Sequence, residues 1–187
     1  MGGRRKRGPL PGRTGQTKCY TCTAAICDGF IQTFMTWQDG LLTTGCPNDA
    51  TRFVDNGDGT VADNCTRLMW QKNTADTNGN GTVTFLDDRV TWCDALRYSD
   101  QLGLGGHNDW RVPNIRELLS IVDYGRFFPA TDPIFLGIDD GVHWSSTTWT
   151  PSPNLAWIVG NGVGNVDALD KGDRYVVSAV RNAPMLP

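Results

Sequence analysis

Apolar residues in this chain come in short runs broken by turn residues, and the period of the runs changes along its length. Phe53-Val54 and Thr60-Val61 flank Asp55-Asn56-Gly57-Asp58-Gly59. The Asn and Gly positions of that string accept positive φ, so the pattern predicts a β-hairpin. Leu68-Met69-Trp70 reads as a third strand, and residues 73–88 as a polar loop. The period then becomes helical. Thr91 begins a helix, with Asp94 at the capping-box position and Gly103 just past its end. A second helix is marked by Asn114 as N-cap, Glu117 three residues on, and an apolar stripe of Ile115, Leu118, Leu119 and Val122; Gly125 is its expected stop. After residue 140 strands return, at 142–147, 155–159, 163–169 and 174–181. Two central helices flanked by antiparallel strands predict an α+β domain over residues 51–182.

The flanks read differently. Residues 1–15 hold Gly, Pro and Arg with almost nothing to bury, which predicts a disordered basic tail. Residues 16–50 carry four of the six cysteines and little periodicity, so an irregular, stapled N-terminal lobe is expected there. Residues 183–187 are a short tail. No internal repeat is visible. At 187 residues and 39% hydrophobic content the chain is long enough to build a proper core, and its 22 Gly predict many loops. No apolar run approaches the roughly 20 residues that span a bilayer, so no membrane span is expected. No apolar stretch follows the charged start, so no signal peptide is expected within these residues.

The net charge of −3 is unevenly spread. Residues 1–13 take five of the 17 basic residues (Arg4, Arg5, Lys6, Arg7, Arg13) and none of the 20 acidic ones, leaving 12 against 20, or −8, for the rest. An acidic body argues against duplex nucleic acid as a partner. The basic start is expected to be a disordered tail, or else an arm that touches an anionic partner.

Six cysteines, an even count, point to disulfides and an oxidising compartment, and so to a secreted or cell-surface protein. Cys19, Cys22, Cys27 and Cys46 have a loose zinc-like spacing, but no His lies nearby; disulfides are expected, with three connectivities open. Cys65, before the 68–70 strand, and Cys93, in the first turn of the first helix, are expected to form one bridge across the polar loop, stabilising the fold by a few kcal/mol.

That loop carries the clearest candidate chemistry. Residues 76–87 follow the grammar of a calcium loop. Asp76, Asn78 and Asn80 fall at positions 1, 3 and 5, Gly81 sits at the sharp turn, Thr82 offers its carbonyl, Thr84 lies at 9 and Asp87 closes at 12. Asn at 5, and Asp in place of the bidentate Glu at 12, predict a weak Ca²⁺ site, on the order of 10⁻⁴ M. The plain alternative is a polar Asn-Gly loop. The Asp55–Asp63 string is too short for a closed loop and reads as a turn. His107 and His143 have no neighbours that suggest a catalytic relay, and structural or surface roles are expected. Trp149, Asn154, Asn161, Asn165, Asp167, Asp170, Lys171, Asp173 and Arg174 combine aromatic contact area with adaptable hydrogen bonding, which suits a ligand-binding face.

Four ordered landmarks carry a resemblance. They are Arg52-Phe53-Val54-Asp55-Asn56-Gly57-Asp58-Gly59-Thr60-Val61-Ala62-Asp63-Asn64; Trp110-Arg111-Val112-Pro113-Asn114-Ile115-Arg116-Glu117-Leu118; Trp144-Ser145-Ser146-Thr147; and Tyr175-Val176 followed by Val180-Arg181. Together, over about residues 14–182, the chain resembles the Lcl C-terminal domain family, named for the terminal domain of a collagen-like bacterial adhesin. The resemblance implies a C-type-lectin-like fold, usually exported. For the named adhesin's domain it further implies trimers and sulfated glycosaminoglycans. The expected function is a secreted or cell-surface binding or adhesion domain, not an enzyme, whose ligand is a glycan or a surface protein; a homo-oligomer, a trimer by resemblance, is its expected assembly. The same fold serves the variable proteins of diversity-generating retroelements, which is the second reading, with residues 148–174 as the variable face. It also serves formylglycine-generating enzymes, but their chemistry relies on cysteines late in the fold, and none follows Cys93.

Overall fold

A computed structural model describes residues 20–23, 26–31, 46–47, 49–84, 86–135 and 141–183. The expected tail 1–15, Cys19 and most of the rest of the expected N-terminal lobe lie outside these residues, as do 184–187. The fold is α+β. Among the described residues there are nine strands in three antiparallel sheets and two helices. Strands β1 (Tyr20–Thr23) and β2 (Ile26–Ile31) form a hairpin. A second sheet has the order β3 (Phe53–Asp55), β4 (Thr60–Asp63), β5 (Leu68–Gln71), β9 (Val180–Asn182). The third has the order β6 (Val142–Thr148), β7 (Leu155–Gly160), β8 (Asn165–Asp170). Helices α1 (Trp92–Gln101) and α2 (Ile115–Ser120) lie between them in the chain. No helix among the described residues is long and apolar enough to cross a membrane.

The helices start where their caps stand. Thr91 Oγ1 accepts the Asp94 amide at 3.3 Å and donates to the Asp94 carboxylate at 2.7 Å. At α2 the capping box is complete: Asn114 Oδ1 accepts the Glu117 amide at 3.0 Å, and Glu117 Oε2 accepts the Asn114 amide at 2.8 Å. Arg111 grips Glu117 with two bonds of 2.7 Å, fixing the entry of the chain into the helix. The apolar stripe of α2 points inward as expected. The helix nevertheless stops at Ser120, well before Gly125, because Val122 bridges Thr131 and the Asp123 amide turns to the Ala130 carbonyl.

Two clusters make the core. Val61, Trp70, Leu118, Ile121, Val122, Phe135, Val159 and Val180 form one; Ala95, Val112, Trp144, Ala156, Ile158 and Val177 are in the other. Beside the first cluster lies a buried ion pair. Arg52 Nη2 reaches Asp63 Oδ2 at 3.0 Å and the Ser120 carbonyl at 2.6 Å, and Asp63 Oδ1 also accepts the Cys65 amide at 2.9 Å. This pair ties the β3–β4 hairpin to the end of α2.

Two expected strands are corrected. The strand expected at 163–169 is β8 and begins at Asn165, because Gly164 takes φ +74° and a Cβ there would meet Val122 Cγ1 at 2.7 Å. The strand expected at 174–181 is mostly a threading segment. Tyr175 bridges Val90, Val176 bridges His143, the Val177 and Ala179 carbonyls accept the Ala75 and Gln71 amides, and only Val180–Asn182 joins a sheet.

The expected Cys65–Cys93 bridge is also corrected. Cys65 pairs with Cys46, with Cα atoms 5.9 Å apart, and Cys93 is free and exposed. Helical periodicity explains it. The buried side of α1 is set by Ala95 and Ser99, and Cys93, two residues before Ala95, falls on the opposite side.

Candidate functional site

The nine residues expected to form a binding face do not share one place. Opposite β7, Asn165 pairs with Gly160, Asp167 with Ile158 and Asp170 with Leu155. Asn165 and Asp170 therefore stand at opposite ends of β8, about 17 Å apart at roughly 3.4 Å per residue. Six residues gather at the Asp170 end: Trp149 and Asn154 in the β6–β7 connection, Asp170 as the last residue of β8, and Lys171, Asp173 and Arg174 after it. Asn161 and Asn165 flank the β7–β8 turn at the other end, and Asp167 lies between.

The Asp170 end is tightly built. The Lys171 amide donates to the Asn154 carbonyl at 2.9 Å, which joins the two loops, and the Trp149 amide donates to Leu155 at 2.9 Å. Lys171 Nζ donates to Thr148 Oγ1 at 2.8 Å and lies 4.0 Å from the centroid of the Trp92 ring. Trp92, the first residue of α1, donates its amide to the Lys171 carbonyl at 3.1 Å and its indole N–H to the Ser145 carbonyl at 2.8 Å. A cation held over an indole in this way is attracted by the ring quadrupole. Asp170 Oδ1 accepts the Gly172 amide at 2.8 Å. Arg174 Nη1 reaches the Arg89 carbonyl at 3.5 Å, leaving the guanidinium exposed with Asn154, Asp170 and Asp173. Burial raises the pKa of Tyr175, with Asp173 adding to the shift. The result is a half-buried base of Trp92 and Lys171, with half-buried Trp149 and exposed Asn154, Asp170, Asp173 and Arg174 in the segments around it. Trp92 and Thr148 were not among the expected residues: a Trp at a helix start reads as core.

Asn161 is different. It is 1% exposed, and its amide lies 3.0 Å from His143 Nδ1 beneath the β7–β8 turn. His143 is equally buried, and desolvation lowers its pKa to about 4, partly offset by the Gly141 carbonyl. His107 shapes the turn before Trp110: it exchanges backbone bonds with Leu104, and both carbonyls accept the Trp110 indole N–H at 3.1–3.2 Å.

In the 76–87 loop, side-chain oxygens curl back on successive amides. Asp76 accepts from Gly79 at 2.8 Å, Asn80 at 3.2 Å and Gly81 at 2.8 Å. Asn78 accepts from Asn80 at 2.9 Å, Asn80 from Thr82 at 2.7 Å, and Asp87 from the Thr84 hydroxyl at 3.0 Å. Gly79 and Gly81 supply the positive φ this coil requires. The residue that organises the loop lies one position past the expected ligands. Asp88 is fully buried and accepts the Thr77 amide at 2.9 Å and the Thr84 amide at 2.8 Å. Among the described residues no three His, Cys, Asp or Glu side chains converge on one metal position, so a cation here would have to draw on Asn and carbonyl oxygens. Asp76 and Gly81 also line a cavity of about 300 Å³, with Gln71, Tyr98, Leu102 and Leu104.

Residues 59–181 match a family model described as the Lcl C-terminal domain. No curated protein matches the chain. The matched span runs from the β3–β4 turn into β9, and so contains both helices, the 76–87 loop and the whole Asp170 end.

Proposed function

The chain belongs to the Lcl C-terminal domain family, and from that premise we propose that it is a secreted or cell-surface, lectin-like binding domain that recognises a glycan or a surface protein. The supporting observation is the Asp170 end of the third sheet. There Lys171, Trp92 and Thr148 lock a partly exposed aromatic base, and Trp149, Asn154, Asp170, Asp173 and Arg174 surround it. Such a surface offers apolar area at little entropic cost, with hydrogen-bonding groups at its rim. A hydroxyl-rich ring with one apolar face, or a polar protein loop, suits both features. The domain acts by binding rather than by bond-making. The lectin-like fold, a weak calcium site at residues 76–87 and self-association are parts of the same proposal.

The test is an array of glycans and surface proteins, probed with the full chain and with Trp149→Ala and Asp173→Ala variants, with calcium and with chelator. Binding that falls at least tenfold in both variants, each folded by circular dichroism, is the expected result; an interfacial Trp contributes on the order of 2 kcal/mol. Undiminished binding in both variants moves the site away from this end.

A further inference from the structure

Three cysteines precede the Cys46–Cys65 bridge, and the backbone of the first hairpin separates two of them from the third. In β1–β2 the register pairs Thr23 with Ile26 and Cys22 with Cys27. Only Ala24 and Ala25 lie between Thr23 and Ile26 in the chain. An antiparallel pair with a two-residue connection closes on a hydrogen-bonded pair, and the pairs alternate outward. Cys22 and Cys27 therefore occupy a non-hydrogen-bonded pair, the class in which opposite residues stand closest, with Cα atoms roughly 4.5 Å apart. Disulfides span Cα separations of about 4.4–6.8 Å, which includes that spacing. The register shifts only beyond this pair, between Tyr20 and Cys22.

We propose that Cys22 and Cys27 form a cross-strand disulfide that closes the β1–β2 hairpin. An isolated two-stranded hairpin is marginal in water, and a covalent tie across it removes the open states with which it competes. The bond forms by exchange with a small-molecule disulfide such as oxidised glutathione. Cys22 and Cys27 lose two protons and two electrons, and the glutathione disulfide takes them up and leaves as two thiols. With Cys46–Cys65 closed as well, only Cys19 and Cys93 remain outside these two bridges.

The test uses the full chain, folded in a glutathione redox buffer. Free thiols are blocked in denaturant, and the protein is digested and fragmented without reduction. The expected peptide carries unblocked Cys22 and Cys27, shows no backbone fragments between them, and gains two hydrogens and a complete fragment ladder on reduction. A blocking group on either residue, or a link from either to Cys19, Cys93 or a second chain, overturns the pairing. A Cys22→Ser/Cys27→Ser double variant supplies a second reading: its count of free thiols should equal that of the parent chain, and a count higher or lower by two overturns the proposal.

Discussion

His143 lies beneath the β7–β8 turn with its ring fully buried, and burial holds its pKa near 4 against 6.5 when exposed. On acidification the unfolded chain takes up this proton first. The neutral ring's contribution is thus complete above about pH 6.5 and is lost as pH falls towards 4, amounting to about 3 kcal/mol at the low end. Urea unfolding of the parent chain and of His143→Leu at about pH 7.5 and about pH 4.5 measures this. The variant should lose less stability on acidification by about 2–3 kcal/mol, and an equal loss in both would show that the ring is reached by water. The Arg52–Asp63 pair makes the opposite kind of prediction. Arg52→Ala strands a buried carboxylate and should cost about 3–5 kcal/mol, whereas Arg52→Met with Asp63→Leu should recover most of it. Denaturant midpoints decide; a double variant no better than the single one would mean that the Ser120 and Cys65 contacts matter more than the charges.

Elements differed in how far the chain order exposed them. The α2 capping box was legible because Asn114, Glu117 and the apolar stripe sit within nine consecutive residues and need no distant partner. The β3–β4 hairpin was legible for the same reason. The 174–182 segment was not, because its partners change almost residue by residue and each is set by the packing of another element. The cystine was misread for a related reason: a helical Cys faces whichever way the helix rotates, and Ala95 and Ser99 set that rotation. The calcium template covers twelve positions and so passed over Asp88, the carboxylate that gathers the loop amides. The same bonds sharpen the metal prediction. If the loop binds calcium at about 10⁻⁴ M, millimolar calcium adds about 1.4 kcal/mol and raises the melting temperature by a few degrees. Asp76→Ala is a poor control, since Asp76 holds three amides of the loop and its loss would disturb the loop itself. Asp87→Asn removes one charge and keeps an acceptor for the Thr84 hydroxyl. It should weaken the calcium shift while barely moving the melting temperature in chelator. Melting curves that coincide in calcium and chelator would leave a self-closed polar loop.

Across the whole molecule the last strand has the longest reach. Gln71 Oε1 accepts the Ala179 amide across 108 positions, Arg181 Nη1 donates to Met69 Sδ across 112, and Val180 exchanges backbone bonds with Arg111. Arg181 also clasps Asp109 at 2.6 and 3.1 Å. A chain ending after Arg174 would keep both helices and every cysteine, yet should lose cooperative unfolding and near-ultraviolet dichroism. A truncated chain that still melts in one sharp transition would show the two sheets to be independent. The threading segment also has a consequence in time. During synthesis, β5 leaves the ribosome long before its partner β9 is made, so its edge stays open while more than a hundred further residues are added. Closing such distant ends is slow, and an open apolar edge is the surface on which nascent chains stick to one another. The second sheet can therefore close only once β9 has been made, so this domain cannot complete its fold strand by strand as it is synthesised.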